Sequence, residues 1–405
     1  MSEQRVVIYW SNERRAFIAE AIELPGCKAN GATRQEALAN VEVAIQERLD
    51  TTEGLGHLVS VPENSSALFM RQTLQRYFGY TDFYPLQEEI IGDVLKDRDV
   101  LVLMQTGGGK SICYQLPAVM RGNLTIVISP LIALMKDQID NLRAIGITAA
   151  SINSTLDHVR ISEIKSQLVK NHIRLLYVAP ERIMLPQFFD FLQQLSISMI
   201  AIDEAHCISE WGHDFRPEYR KLNLLKSQFP NVPLIALTST ATPLVQSDII
   251  NQLGMANPKI YRGSLDRRNL FYQIRPKKEM YQNLLWYIRN HPKDSGIIYC
   301  QSRKSVEALC DRLREDGIRA LPYHAGLTPD VRSENQEKFI KDDVEVIVAT
   351  IAFGMGINKP NVRYVIHCDI PKSVEGYYQE TGRAGRDGLR SDCVLFFSYG
   401  DRVKH

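Results

Sequence analysis

The sequence predicts an α/β protein with two successive parallel-sheet domains, preceded by a small α+β module. Continuous apolar runs of strand length alternate with longer polar and amphipathic stretches from Val100 onward, which is typical of strand–helix–strand units on a parallel sheet. The same alternation starts again after Asp266, so we expect a second sheet. We place the module at residues 1–55, a linker at 56–66, and the two domains at 67–262 and 263–405.

The composition is that of an ordinary soluble globular protein. The 405 residues are 44% hydrophobic and 23% charged, with a net charge of +1. Because no global field attracts nucleic acid, binding of an anionic polymer requires local basic groups. No apolar run has the length of a membrane span, and no signal peptide precedes the first strand, so we expect a cytoplasmic protein without a membrane partner. The seven cysteines contain no Cys-x-x-Cys pair, so we expect reduced thiols and no zinc.

The N-terminal module combines two predicted strands, at residues 6–10 and 17–22, with a turn at 24–27 and a helix. Thr33 and Glu36 form a capping box at the start of that helix. Residues 16–45 resemble the HicB-like antitoxin domain, which is a small sheet-plus-helix fold. The resemblance implies a protein partner for this module, and a purely structural appendage is the alternative.

A glycine-rich loop follows the apolar run at residues 100–103 and precedes a predicted helix at 112–119. Glycines let the backbone curl, and the helix N-terminus adds partial positive charge where a polyphosphate would bind. Lys110 can neutralise the outer phosphates, and the Ser111 hydroxyl can ligate Mg²⁺. Met104 stands where the full pattern has glycine, so this stretch alone leaves open an ordinary glycine-rich turn. The candidate nucleotide-binding residues here are Thr106, Gly107, Gly108, Gly109, Lys110 and Ser111.

Two carboxylates follow the apolar run at residues 199–202. Asp203 can hold the Mg²⁺ that Ser111 also ligates, and Glu204 can orient and deprotonate an attacking water. The alternative for an Asp-Glu pair considered alone is a solvent-exposed turn. The carboxyl ends of parallel strands meet at one edge of a sheet, so the position of this pair favours nucleotide hydrolysis.

An aromatic and polar segment precedes the glycine-rich loop. Gln87 carries both a donor and an acceptor, so it can bind the adenine edge while Tyr80 stacks on the ring. The alternative is that the aromatic residues of this segment belong to the core.

The segment Asp203-Glu204-Ala205-His206 and the residues that follow it to 217 resemble the DEAH box and the aromatic-rich loop of RecQ-family DNA helicases in superfamily 2. The resemblance extends over residues 68–399. It implies two tandem RecA-like domains that bind ATP and Mg²⁺ in the cleft between them. It also implies 3′–5′ movement on single-stranded or forked DNA coupled to ATP hydrolysis, in DNA repair and recombination.

The resemblance also implies which residues contact DNA. Flat aromatic rings stack on bases without sequence preference, and arginine adds charge to the backbone contact. The implied contacts are Ser129, Trp211, Phe215 and Arg216 in the first domain and Arg303, His324, Thr350 and Asn358 in the second.

Arg383 and Arg386 are three residues apart in a glycine-rich segment of the second domain. They are positioned to reach across the cleft and stabilise charge on the γ-phosphate, as an arginine finger does. Two arginines among glycines would otherwise be a surface turn. The resemblance of residues 379–388 to the family's motif favours the catalytic role.

Two departures from the family pattern modify these expectations. Tyr84 stands where the family has arginine, so we expect the base to be held more by stacking than by charge. The zinc-binding and winged-helix regions of the family do not follow residue 405, so we expect DNA-stimulated ATP hydrolysis with weak unwinding. Three alternatives remain open: a DNA-dependent translocase, RNA as the bound strand, and a regulatory binding protein acting through the N-terminal module.

Overall fold

The chain divides between Glu63 and Asn64 into two compact units. A computed structural model describes residues 6–11, 16–21, 28–52, 63–153, 156–212, 214–354, 357 and 359–403. The predicted turn at 24–27 lies outside the described residues.

The first unit is a three-stranded antiparallel sheet with one helix. Its elements are β1 (Val6–Ser11), β2 (Ala16–Ala21), β3 (Lys28–Gly31) and α1 (Arg34–Thr52). The strands lie in the order β1-β2-β3, and Ala19, Ala37 and Val41 form the buried centre between sheet and helix. The Glu36 amide donates to Thr33 Oγ1 at 3.2 Å, as predicted for the capping box, and the Glu36 carboxylate accepts from the Ala32 amide at 2.9 Å.

The second unit begins with a helical segment and a seven-stranded, entirely parallel sheet in the order β10-β4-β9-β8-β5-β7-β6. Its strands are β4 (Val100–Leu103), β5 (Leu124–Ile128), β6 (Ala149–Ile152), β7 (Leu175–Val178), β8 (Ile197–Ile202), β9 (Leu234–Thr238) and β10 (Lys259–Arg262). Its helices are α2 (Glu63–Thr73), α3 (Gln87–Leu95), α4 (Ile112–Arg121), α5 (Ile132–Ala144), α6 (His158–Val169), α7 (Pro180–Ile183), α8 (Pro186–Leu192), α9 (Pro217–Arg220), α10 (Asn223–Gln228) and α11 (Pro243–Leu253).

A second parallel sheet follows, with six strands in the order β11-β16-β15-β12-β14-β13. Its strands are β11 (Leu270–Pro276), β12 (Ser295–Tyr299), β13 (Ala320–Tyr323), β14 (Val346–Ala349), β15 (Val362–His367) and β16 (Ser391–Phe397). Its helices are α12 (Met280–Asn290), α13 (Arg303–Glu315), α14 (Pro329–Ile340) and α15 (Val374–Thr381).

Both parallel sheets are covered on their two faces, which is why their central strands are continuous apolar runs. Every residue of β4, β5, β7 and β9 is buried. One apolar cluster lies on each face of each sheet. The predicted two-sheet α/β architecture is therefore confirmed.

Four strands were not expected from the sequence: β3, β6, β10 and β11. All four lie at the edge of their sheet, and β10 and β11 carry polar side chains such as Lys259, Arg262 and Gln273 that interrupt the apolar pattern. Helix α2 begins at Glu63, within the stretch predicted as a linker. None of the described helices combines the length and the apolar composition that crossing a membrane requires.

Gly296 in β12 provides a test of this packing. It pairs with Tyr364 of β15, and a Cβ atom at Gly296 would overlap the Tyr364 ring. We expect Gly296→Ala to destabilise the protein by about 1–3 kcal/mol, because an added methyl group in a filled core displaces its neighbours. Thermal unfolding followed by circular dichroism measures this effect.

Gly92→Ala is the matched control. Gly92 lies in α3 with open space where a Cβ would be, so alanine should leave the melting temperature equal or higher. Equal melting temperatures for Gly296→Ala and the unchanged protein would contradict the described contact between β12 and Tyr364.

Candidate active site

Glycines shape the loop between β4 and α4. Gly107 and Gly109 have φ angles of 82° and 74°, in the left-handed region that other residues rarely adopt. A Cβ atom on Gly109 would overlap the side-chain amide of Gln87. The loop therefore curls closely in front of the N-terminus of α4, which is where anions bind to helices.

Lys110 lies at the end of this loop, just before α4, and is half-buried. Its Nζ atom donates to the carbonyl oxygens of Met104 at 3.1 Å and Gln105 at 3.4 Å. Burial lowers the pKa of Lys110, although the carboxylates of Glu204 and Asp203 raise it. An anion at the loop would favour the charged ammonium, so phosphate binding would relieve this cost.

The two carboxylates follow β8. Burial, and next the charge of Glu204, raises the pKa of Asp203 to about 7. Glu204 has a φ angle of 49°, and its amide donates to Asp203 Oδ1 at 3.0 Å. Glu204 Oε2 is buried without a hydrogen bond: His206 Nδ1 lies 3.3 Å away but is only 2.9 Å from Thr238 Oγ1.

The contact between His206 and Thr238 joins the ends of two neighbouring strands. Thr238 is the last residue of β9, and its hydroxyl also donates to the carbonyl of Thr240 at 3.1 Å. The carboxylate segment is thereby fixed against the polar cluster that follows β9.

The two arginines lie just beyond α15. Arg383 donates to the carbonyl of Gly354, and Arg386 donates to that of Ile357. Arg383 is buried, and Arg386 is half-buried. Burial, then Arg383 and Arg267, lowers the pKa of Arg386 to about 10, so Arg386 remains protonated at neutral pH.

One cavity of about 610 Å³ brings together predicted residues from both sheets. Of the predicted nucleotide-binding and catalytic residues, Gly108 does not line the cavity. The predicted residues that line it are Tyr80, Tyr84, Gln87, Thr106, Gly107, Gly109, Lys110, Ser111, Asp203, Glu204, Arg383 and Arg386.

Two exposed tyrosines are among the residues that line this cavity. Tyr80 and Tyr84 are 57% and 59% exposed, so their rings are accessible for stacking. Gln87 is buried instead: its Oε1 accepts from the Tyr84 amide at 2.9 Å, and its Nε2 donates to the Gly109 carbonyl at 3.0 Å. In this structure Gln87 links the aromatic segment to the phosphate loop.

Of the residues expected to contact DNA in the first domain, Trp211 is the most accessible, at 70% exposed. Phe215 is half-buried. Arg216 donates to the carbonyl of Pro130 at 2.9 Å and pairs with Asp214 at 3.2 Å.

The other expected DNA contacts divide into surface and interior positions. Arg303 is exposed at the start of α13, and Thr350 is half-buried after β14. Ser129 and His324 are buried, and His324 Nε2 lies 2.7 Å from Glu307 Oε1. Asn358 lies outside the described residues.

Arg267 was not expected to belong to the site. It lies between β10 and β11 and donates to the carbonyls of Thr106 in the phosphate loop and of Ala384 beside the arginines, both at 2.9 Å. Nothing in the sequence distinguishes it from Arg268, because bonds to backbone carbonyls require no particular partner residue.

The residues of the cavity fit ATP and a divalent cation. Lys110, Arg383 and Arg386 provide three cations near a glycine-shaped loop, which suits a triphosphate. The carboxylates of Asp203 and Glu204, which line the cavity together with Ser111, offer the hard oxygen ligands that Mg²⁺ prefers.

Two family models match the chain. The DEAD/DEAH box helicase model matches residues 84–248, and the helicase conserved C-terminal domain model matches residues 276–388. In the solved structures, Mycobacterium smegmatis helicase Lhr bound to single-stranded DNA and AMP-PNP is 19% identical with a TM-score of 0.65, covering 81% of this chain and 47% of that one. S. cerevisiae Dbp5 bound to RNA and ADP BeF3 is 16% identical with a TM-score of 0.63, covering 85% and 89%. These likenesses identify both sheets as RecA-like domains.

Curated relatives are more similar in sequence. The ATP-dependent DNA helicase RecQ of Pasteurella multocida is 48% identical over 341 residues, which cover 84% of this chain and 54% of the relative. The ATP-dependent DNA helicase RecQ of Bacillus subtilis is 47% identical over 330 residues, covering 81% and 56%. The chain thus spans about half the length of these relatives.

Lys110→Ala tests the phosphate loop. We expect it to weaken binding of a fluorescent ATP analogue at least about tenfold, because a hydrogen bond to a charged group contributes about 1.5–3 kcal/mol. Titration by fluorescence anisotropy measures the affinity. Lys221→Ala removes an exposed lysine just after α9 and should bind as the unchanged protein does. Equal affinities for the two variants would contradict the assignment of Lys110.

Proposed function

We propose that this chain, whose residues 68–399 belong to the RecQ family of superfamily 2 helicases, is an ATP-dependent DNA helicase. The observation that carries the proposal is the shared cavity. Lys110 and the two carboxylates line it from the first sheet, and Arg383 and Arg386 line it from the second. A single triphosphate bound there would contact both domains.

The charged and hydroxyl-bearing residues of the first domain have separate roles in the proposed hydrolysis. Lys110 and the loop amides bind the β- and γ-phosphates, and Ser111 and Asp203 hold Mg²⁺, which neutralises charge on the phosphate oxygens when bound. Glu204 orients the attacking water and accepts its proton.

The two arginines complete the site from the other domain. Arg383 and Arg386 stabilise the negative charge that develops on the γ-phosphate. Tyr80 and Tyr84 stack on the base, since both rings are exposed and line the cavity. Gln87 binds the adenine edge if its amide turns away from Gly109.

ATP binding would draw the domains together, and hydrolysis would remove the contacts they share. Each cycle would move a DNA strand held by Arg303 and Thr350 of the second domain relative to Trp211 and Phe215 of the first. The proposal also includes movement from 3′ to 5′, action on forked DNA in repair and recombination, and a cytoplasmic location. The support for these three properties is the similarity to the RecQ family.

ATP turnover measured with and without single-stranded DNA tests this function. We expect DNA to stimulate turnover. Trp211→Ala should require about tenfold more DNA for half-maximal stimulation, because stacking on an aromatic side chain contributes about 1–3 kcal/mol per base. Trp286→Ala, which removes a tryptophan 61% exposed on α12, is the control. If DNA leaves ATP turnover unchanged, the proposed DNA helicase activity is wrong. If RNA alone stimulates turnover, the bound nucleic acid is RNA instead of DNA.

A forked DNA duplex separates the helicase from a translocase that unwinds weakly. Both candidates hydrolyse ATP on DNA, and they differ in whether hydrolysis is coupled to strand separation. We expect strand separation to accompany DNA-stimulated turnover, measured by release of a fluorescent strand, whereas strong turnover with little release would identify the translocase. Unwinding as rapid as turnover would exclude the weak-unwinding candidate.

A regulatory binding role through the N-terminal unit is the candidate of another class, and it includes a protein partner for that unit. It requires no turnover, so Lys110→Ala would preserve the cellular role. The intact set of charged residues in the cavity favours the enzyme.

A further inference from the structure

Arg267 joins the two sides of the ATP cavity without lining it. It lies in the connection between β10 and β11, where the chain passes from the first sheet to the second. The described residues that line the cavity include Arg383 and Arg386 but not Arg267. A direct contact with ATP is therefore not its role in this arrangement.

Towards the second domain, the connection is bound to the segment that carries the catalytic arginines. Arg267 Nη2 donates to the carbonyls of Ala384 at 2.9 Å and Gly385 at 2.8 Å. The side chain of Asn269 donates to the same Gly385 carbonyl at 2.8 Å. The Tyr378 hydroxyl of α15 donates to the Leu265 carbonyl at 2.7 Å. The connection and the arginine segment therefore move together.

Towards the first domain, the same guanidinium reaches the phosphate loop. Arg267 Nη1 donates to the carbonyl of Thr106 at 2.9 Å, and a Cβ atom on the adjacent Gly107 would lie 3.6 Å from this nitrogen. Gly382, just before the first catalytic arginine, packs against Thr106. One planar group thus fixes the distance between the phosphate loop and the arginine segment.

The chemistry of these bonds requires arginine. Two nitrogens of a rigid fork donate in different directions, whereas a lysine ammonium at the end of a flexible stem cannot hold the two domains in one geometry. Burial lowers the pKa of Arg267. Its two terminal nitrogens donate to backbone carbonyls, and its Nε donates to the side-chain oxygen of Asn269 at 3.3 Å. These bonds compensate for the burial of the guanidinium group, and the complete set forms only when both domains are in place.

We propose that Arg267 is a positioning residue that sets the catalytic arginines at their working distance from the phosphates. This inference rests on the proposed ATP hydrolysis. It assigns Arg267 no contact with substrate, so its loss should reduce the rate of hydrolysis and leave ATP binding by Lys110 unchanged. Arg268, the next residue, has a side chain 94% exposed that pairs with Asp266 at 3.3 Å, and it serves as the matched control.

The experiment measures DNA-stimulated ATP turnover of the full chain at varied ATP concentration. For Arg267→Ala we expect kcat to fall about tenfold or more, with KM for ATP within about twofold of the unchanged protein. Arg267→Lys should be similarly slow. Arg268→Ala should match the unchanged protein, and Arg383→Ala should be slow, as a directly acting residue. Millimolar methylguanidinium should restore part of the turnover of Arg267→Ala and should not accelerate the unchanged protein.

Three outcomes would overturn the inference. An unchanged kcat for Arg267→Ala would show that the bond to Thr106 is dispensable. A raised KM at unchanged kcat would assign Arg267 to binding. A large drop in melting temperature, without rescue by methylguanidinium, would make its role structural only. In all three cases the unchanged protein still hydrolyses ATP. If the unchanged protein does not hydrolyse ATP, the proposed function itself is wrong, and the inference about Arg267 fails with it.

Discussion

Three cations and two carboxylates line one cavity at the boundary of two sheets, and burying charges costs free energy unless each finds a partner. Lys110 is near the carboxylates of Glu204 and Asp203, but Arg383 and Arg386 rely on backbone carbonyls. The charge of Arg386 lowers the pKa of Lys110, as like charges do. The negative charge of a bound triphosphate would favour the charged forms of both side chains.

Strand order explains why distant motifs meet. In the first sheet β9 lies between β4 and β8, so the residues after these strands are neighbours at the carboxyl edge. The phosphate loop follows β4, the carboxylates follow β8, and Thr238 ends β9. The contact of His206 with Thr238 is a direct result of this order.

The sequence predicts most of the fold where burial dictates the residues. Central strands are buried on two faces and must be apolar throughout, so they are visible as runs. The edge strands β10 and β11 need not be apolar throughout, because many of their side chains are exposed to solvent. The residues that line the cavity lie in motifs of fixed spacing. The burial of Ser129 and His324, and the bonds of Arg267, depend on tertiary neighbours that no local pattern encodes.

The chain leaves the first sheet at Arg262 and enters the second at Leu270. Fully stretched, the intervening segment reaches roughly 25 Å, since each residue extends about 3.3–3.6 Å. So short a tether keeps the arginine segment within a small volume around the phosphate loop, which corresponds to an effective local concentration on the order of millimolar. Contact between the two domains is thus an intramolecular encounter, independent of how dilute the protein is.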